Sequence, residues 1–167
     1  MVLVFLGIVM YIAYVFRKLS GVLSPWAMGL AAILALLHDV IVPVGVFTVL
    51  SAYYGYELSA VFVAGVLTIL GYSVSDSVVI FDRVRENIVR FGAKGDFADT
   101  VHQSVMQTLS RSINTSLTTL LPLIAIFFLG GATLSSFALF LIIGIFLGAY
   151  SSLFVASPLL VWLSRRK

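Results

Sequence analysis

From Trp26 to Ala52 the chain carries a single formally charged side chain, Asp39. Comparable apolar runs cover 2–16, 60–81, 113–129 and 134–163. Stretches of this length and continuity constrain the fold more than any other feature. A soluble domain has too few places to bury them, whereas a bilayer accepts them as solvent-facing surface. Inside a bilayer every backbone amide needs an internal partner, so only helices or a closed barrel can cross. The runs are long and unbroken rather than short and alternating, which selects helices. Charged residues make up 10% of the 167 residues, against about 25% in soluble domains. The expected fold is an all-α polytopic membrane bundle, a single transmembrane domain over 1–167 with five spans.

The polar punctuation agrees. Arg17-Lys18 closes the first run, which is short for a hydrocarbon core of about 30 Å. Ser20 to Pro25 reads as a turn, and Pro25 suits a first helical turn. Tyr53–Ser59 and Gly130-Gly131 read as short outer connections. Met1 opens directly on apolar residues, without the basic start or small-residue cleavage site of a signal peptide. The stretch 82–110 is the one long hydrophilic segment, expected as cytoplasmic helix. Asp82 to Arg90 should extend the third span into water, with Glu86 and Arg90 paired at i,i+4. Gly92 to Gly95 should break it. Asp96 should then cap a new helix, aided by Asp99, with Val101, Val105 and Leu109 along an interfacial face.

All ten lysines and arginines fall on one side of this arrangement: Arg17, Lys18, Arg83, Arg85, Arg90, Lys94, Arg111, Arg165, Arg166 and Lys167. Basic residues accumulate on the cytoplasmic side of membrane proteins. The expected topology has the N-terminus outside and the C-terminus cytoplasmic. The formal charge of +3 is thus a topology signal, and no nucleic-acid partner is expected. The chain has no cysteine, which excludes disulfides and thiolate metal sites. No metalloprotease, P-loop, dinucleotide-binding or Ser/His/Asp pattern is present, so no enzyme activity and no cofactor are expected.

A carboxylate inside a span is costly and therefore marks function by default. Asp39 lies mid-span beside His38. Asp76 lies about two turns inside the third run, within Gly71-Tyr72-Ser73-Val74-Ser75-Asp76-Ser77. Ser73, Ser75 and Ser77 can hydrogen-bond a carboxyl or hold water beside it. A carboxyl that can be neutral in a dry site or ionised beside a cation suits reversible proton binding. On the fourth run, Ser104, Gln107, Arg111, Asn114, Thr115, Thr118 and Pro122 recur at helical spacing. They form a polar stripe expected to face the bundle interior, with Arg111 as counter-ion to Asp76. The competing readings are structural: a static Asp76–Arg111 pair, an Asp39 hydrogen bond between helices, an Arg111 reaching to headgroups, and hydroxyls that serve packing alone. Gly144 and Gly148 form a GxxxG, a common close-packing device. His102 reads as solvated.

The run Gly71 to Asn87, GYSVSDSVVIFDRVREN, resembles the signature of the SecF family. Ala35-Leu36-Leu37-His38-Asp39-Val40 resembles that family's preceding helix. Gln107 to Ser116, QTLSRSINTS, resembles the following one. SecD proteins would carry a glycine-rich Asp-Ala-Asn pattern here instead. The resemblance implies one half of an RND-type exporter, with six helices and a periplasmic domain between the first and second. It implies a subunit that uses protons as coupling ion to draw unfolded preprotein from the SecYEG translocon, together with a SecD half and its periplasmic domain. It assigns proton relay to Asp76 and Arg111, and less directly to Asp39. With five spans and no periplasmic domain, the expectation is the C-terminal membrane portion of SecF or of a fused SecDF, in a bacterial or archaeal cytoplasmic membrane. The alternatives are an RND exporter half for lipids or small molecules, and a non-transporting assembly module.

Overall fold

The structure, a computed structural model, describes residues 6, 7, 10, 11, 14, 25–56, 61–91 and 96–164. These residues are helical apart from the turns. The first long helix, α1, is Pro25–Tyr54. It starts on Pro25, where a missing N–H costs nothing, and continues through Pro43. Its end is a left-handed glycine turn: Gly55 has φ 72°, and its N–H reaches the Ser51 carbonyl at 2.9 Å. Only glycine adopts that φ without a Cβ clash. Helix α2 is Val61–Phe91, so the span does continue past Asp82 in the hydrophilic direction. Helix α3 is Phe97–Leu129. Its N-cap is Asp96, whose side chain accepts from the Ala98 N–H at 3.2 Å, as expected. Helix α4, Ala132–Ser151, follows the Gly130-Gly131 turn. It passes into a π-helical turn, Ser152–Ala156, and then α5, Ser157–Ser164.

Two expectations need correction. Among the described residues four helical stretches are long and apolar enough to cross a membrane: Gly29–Tyr54, Val61–Arg90, Phe97–Leu129 and Ala132–Ser164. Five are not found. The expected span 2–16 lies mostly outside the described residues. At a rise of about 1.5 Å per residue it also falls short of a 30 Å core. Next, the interfacial segment is no separate helix. Residues 97–109 and the fourth span form one continuous helix of 33 residues, because nothing between Leu109 and Ile113 breaks the backbone ladder. The structure also shows that the final span is not a regular α-helix throughout. Proline at 158 has no N–H to donate to the carbonyl four residues back, and the ladder widens into the π turn just before it. The Ser157 hydroxyl donates to the Ser152 carbonyl across this stretch at 3.2 Å. The expected break at 92–95 and the basic residues at 17–18 and 165–167 lie outside the described residues.

The bundle has two dry clusters with a polar layer between them. One cluster, at the Val61 end of α2, joins α1, α2 and α4 through Phe47, Ile69, Phe140 and Leu141. Phe47 meets Phe140 edge-on at 5.3 Å between centroids, a favourable quadrupole geometry. The other, at the hydrophilic end, packs Ala31, Ala32 and Ala35 of α1 against Ile80, Phe81 and Val84 of α2 and Ala156 and Leu160 of the last span. Lipid tails are as apolar as leucine, so these helices gain little from burial itself. Small residues that let backbones approach supply the attraction. Gly144 abuts Ile69, and Gly148 abuts Ser73.

Candidate functional site

The polar layer holds both intramembrane carboxylates. On α1, Asp39 is fully buried. Its Oδ1 lies 3.0 Å from His38 Nδ1, and the Ser73 hydroxyl of α2 donates to its Oδ2. One turn further along α2, Asp76 faces α3. The Ser112 hydroxyl donates to Asp76 Oδ1 at 2.6 Å. Asp76 Oδ2 is buried without a hydrogen-bond partner. Ser77 and Ser152 bring their hydroxyls to 3.2 Å across the α2–π-turn contact, and Ser152 lies beside the Asp76 carboxyl. The Tyr72 hydroxyl donates to Ser116 Oγ at 3.0 Å. Ser116 in turn donates to the Ser112 carbonyl at 2.8 Å.

Two cavities lead from the hydrophilic end toward Asp76. The outer one, of about 270 Å³, is lined by Val79, Asp82, Arg83, Glu86, Gln107, Thr108 and Arg111. The inner one, of about 120 Å³, is lined by Tyr72, Ser75, Asp76, Val79, Arg111 and Thr115. Val79 and Arg111 border both. Each has room and polar walls for water. Their mouth is braced by Asn87, whose amide donates to Ser104 Oγ at 2.8 Å and to Gln107 Oε1 at 3.1 Å. Asn87 is buried, although its place in a hydrophilic run suggested water.

Arg111 is near Asp76 but not bonded to it. The ion pairs among the described residues are His38–Asp39, Arg83–Glu86 and Arg85–Asp82. Arg111 acts on Asp76 through space, across the inner cavity. The group in contact is Ser112, the next residue along α3.

The polar stripe of α3 is likewise displaced by one position. The buried residues are Val101, Ser104, Thr108, Ser112 and Ser116. Gln107, Arg111, Asn114, Thr115, Thr118 and Pro122 are exposed. Thr115 and Arg111 still border the inner cavity, whereas Asn114 and Thr118 reach neither carboxylate. Thr118 instead donates to the Asn114 carbonyl of its own helix at 2.9 Å. Of the serines read from α2, Ser73 and Ser77 are buried in the layer and Ser75 is an exposed cavity-wall residue. Sequence reading missed Ser112, Ser116 and Ser152. The signal for the first two was present: Ser104, Thr108, Ser112 and Ser116 repeat every fourth residue. Ser152 had no such signal, because only the packing of the last span against α2 brings it to Ser77. No group of three or more His, Cys, Asp or Glu that could hold a metal occurs among the described residues.

Taken chemically, the layer offers a carboxyl with one hydroxyl donor, one free oxygen, nearby water-sized space and a cation at a distance. Those are the groups that reversible protonation of a carboxyl needs.

Comparison with known proteins is consistent across sequence and structure. Residues 1–166 match the family described as protein export membrane protein SecD/SecF, C-terminal. The chain is 50% identical over 157 residues to protein translocase subunit SecF of Thermobaculum terrenum, covering 93% of this chain and 48% of that protein. It is 46% identical over 168 residues to protein translocase subunit SecDF of Thermus thermophilus, covering 99% of this chain and 21% of that protein. A crystal structure of SecDF in a super-membrane-facing form superimposes with a TM-score of 0.82 at 45% identity, covering 95% of this chain and 20% of that one. The chain thus spans about half the length of the SecF relative and a fifth of the SecDF one.

Proposed function

The chain belongs to the SecD/SecF C-terminal family of protein-export membrane proteins, and from that premise we propose that it is the membrane portion of a Sec subunit that uses the proton-motive force to assist preprotein translocation. The observation that carries the reading is the placement of Asp76. Its carboxyl is held between α2 and α3 by Ser112, at the inner end of cavities bordered by Arg111. A carboxylate within a span that touches water-sized space is the usual station of a proton path. The relatives compared above are named translocase subunits, which favours a polypeptide as cargo over lipids or small molecules.

The partners follow from the same premise. A SecD half, the SecYEG translocon and an unfolded preprotein complete the machine. The exposed polar face of α3 supports a second membrane half beside it. Only 11% of the apolar stretch of α3 is buried within the chain, against 39%, 39% and 44% for the other three spans. Asn114, which is exposed on that face and borders neither cavity, would otherwise turn its amide to lipid, which is unfavourable. The distribution of basic residues supports the hydrophilic end as cytoplasmic.

The reading is tested with the full-length protein and its Sec partners in inside-out vesicles. An imposed proton gradient should accelerate preprotein export, and a protonophore should remove that acceleration while leaving ATP-driven export in place. Export indifferent to the gradient would overturn the reading.

A further inference from the structure

At the hydrophilic end, α3 and the last span enclose an apolar cavity of about 330 Å³. Ala98, Val101, Val105 and Leu109, at three- and four-residue spacing, form its α3 wall. Leu153, Ser157 and Val161 form the facing wall. The rim is His102, Met106, Phe154 and Pro158, all exposed, so the cavity opens at the surface of the bundle. Val105 stands nine residues from Asn114, two and a half helical turns, which puts the two on opposite faces of α3. The cavity therefore looks away from the face read above as meeting a second membrane half, and toward the bilayer. Side chains normally fill space of this size in a packed bundle. Water finds few partners on these walls, and the Ser157 hydroxyl is already bonded to the Ser152 carbonyl. What a bilayer offers instead is an acyl chain, which gives the walls the contacts that empty space lacks. The volume is that of a small-molecule site.

Depth and charge point to one kind of chain. Val161 adjoins Trp162, which is half-exposed, and tryptophan gathers at headgroup level. Leu153 lies eight residues earlier, about 12 Å along the helix. The cavity thus runs from the headgroup level into the hydrocarbon, the direction an acyl chain takes. Arg165, Arg166 and Lys167 follow Ser164 in the sequence, and cations on the cytoplasmic side attract anionic headgroups. The last span, 132–164, carries no charged residue, and neither Asp96 nor Asp99 lines the cavity. We propose that this cavity binds one acyl chain of an anionic phospholipid from the cytoplasmic leaflet, its headgroup held by the basic residues that follow Ser164. Seated there, the chain completes the seam between α3 and the last span. The proposal does not depend on how the protein uses protons.

The test is photolabelling of the full-length protein in phosphatidylethanolamine vesicles. The probe is phosphatidylglycerol with a diazirine in one acyl chain, compared with the same chain on phosphatidylcholine. Peptide mapping should place the phosphatidylglycerol label on Val101, Val105 and Leu153, about tenfold above Phe146, an exposed lipid-facing position on α4. The phosphatidylcholine probe should label the cavity about tenfold less, the scale expected for several basic residues near a headgroup. Combining Arg165→Gln, Arg166→Gln and Lys167→Gln should erase that preference. Val105→Trp should fill the cavity and cut the label about fivefold. Met106→Trp, at the exposed rim, should do the same by narrowing the mouth, and it decides if Val105→Trp does not fold. Asp76→Asn should label as the wild type does, which keeps this test separate from the proton-driven reading. Equal labelling at Phe146 would mean ordinary boundary lipid, and no label in the cavity would mean that protein covers it. Either result overturns the proposal, as does equal labelling by the two headgroups.

Discussion

Full-length protein carrying Asp76→Asn is expected to lose gradient-driven preprotein export while keeping its fold. The substitution is close to isosteric. The Ser112 hydroxyl, which donates to Oδ1 at 2.6 Å, can donate equally to an amide oxygen. The new NH2 replaces Oδ2, an atom already buried without a partner. Leaving a buried donor unpaired costs about 1–3 kcal/mol, well inside the 5–15 kcal/mol by which a domain is typically stable. What the amide cannot do is bind and release a proton. The gradient-dependent part of the export rate should therefore fall at least about tenfold, equivalent to 1.4 kcal/mol or more. The gradient-independent part should not change. The measurement is initial export rate in inside-out vesicles with and without an imposed pH difference. Gradient-driven export at the wild-type rate would remove Asp76 from the proton path. Asp76→Glu restores a titrating group one methylene further out, and should keep a fraction of the activity.

Gly144→Leu should be the most damaging substitution for the bundle itself. A Cβ on residue 144 would sit 2.1 Å from Ile69 Cδ1 and 2.4 Å from Ile69 Cγ1. Ile69 is 1% exposed and is held in the Phe47–Phe140 cluster, so it has nowhere to turn. Helices α2 and α4 must then separate, which strips contacts along their whole seam. Overpacking of this kind costs about 1–3 kcal/mol and sometimes more. In a membrane it is not offset by any gain from burying leucine, since lipid is equally apolar. The expected result is a lower melting temperature and a smaller monodisperse fraction in detergent. Gly148→Ala is the internal control. A Cβ there meets Ser73 Cβ at 3.6 Å, ordinary contact, and should be tolerated. Ile69→Ala should partly rescue Gly144→Leu, because neighbouring residues in contact couple energetically. Failure of that rescue would place the damage elsewhere than the α2–α4 seam.

What the sequence determined alone is the class and the landmarks. Long apolar runs become helices because a bilayer leaves the backbone no other partner. Pro25, Asp96 and Gly130-Gly131 mark helix ends through local chemistry that needs no tertiary context. Asp76 and Asp39 stand out because charge inside a span is rare. The tertiary structure alone decided which side of each helix meets its neighbours. In water, apolar residues betray the inward face. In lipid both faces can be apolar, so that signal is lost. Hydroxyls do not replace it. Thr115, Thr118 and Thr119 satisfy themselves on the carbonyls of Arg111, Asn114 and Thr115, and can therefore sit on an outward face without penalty. That is why a stripe through Arg111 and Asn114 reads as inward from spacing alone, while the face actually turned to Asp76 carries Ser112 and Ser116 one residue away. The same holds for Ser152. Its role appears only once the π turn before Pro158 has set the last span against α2, a matter of packing between residues far apart in the chain.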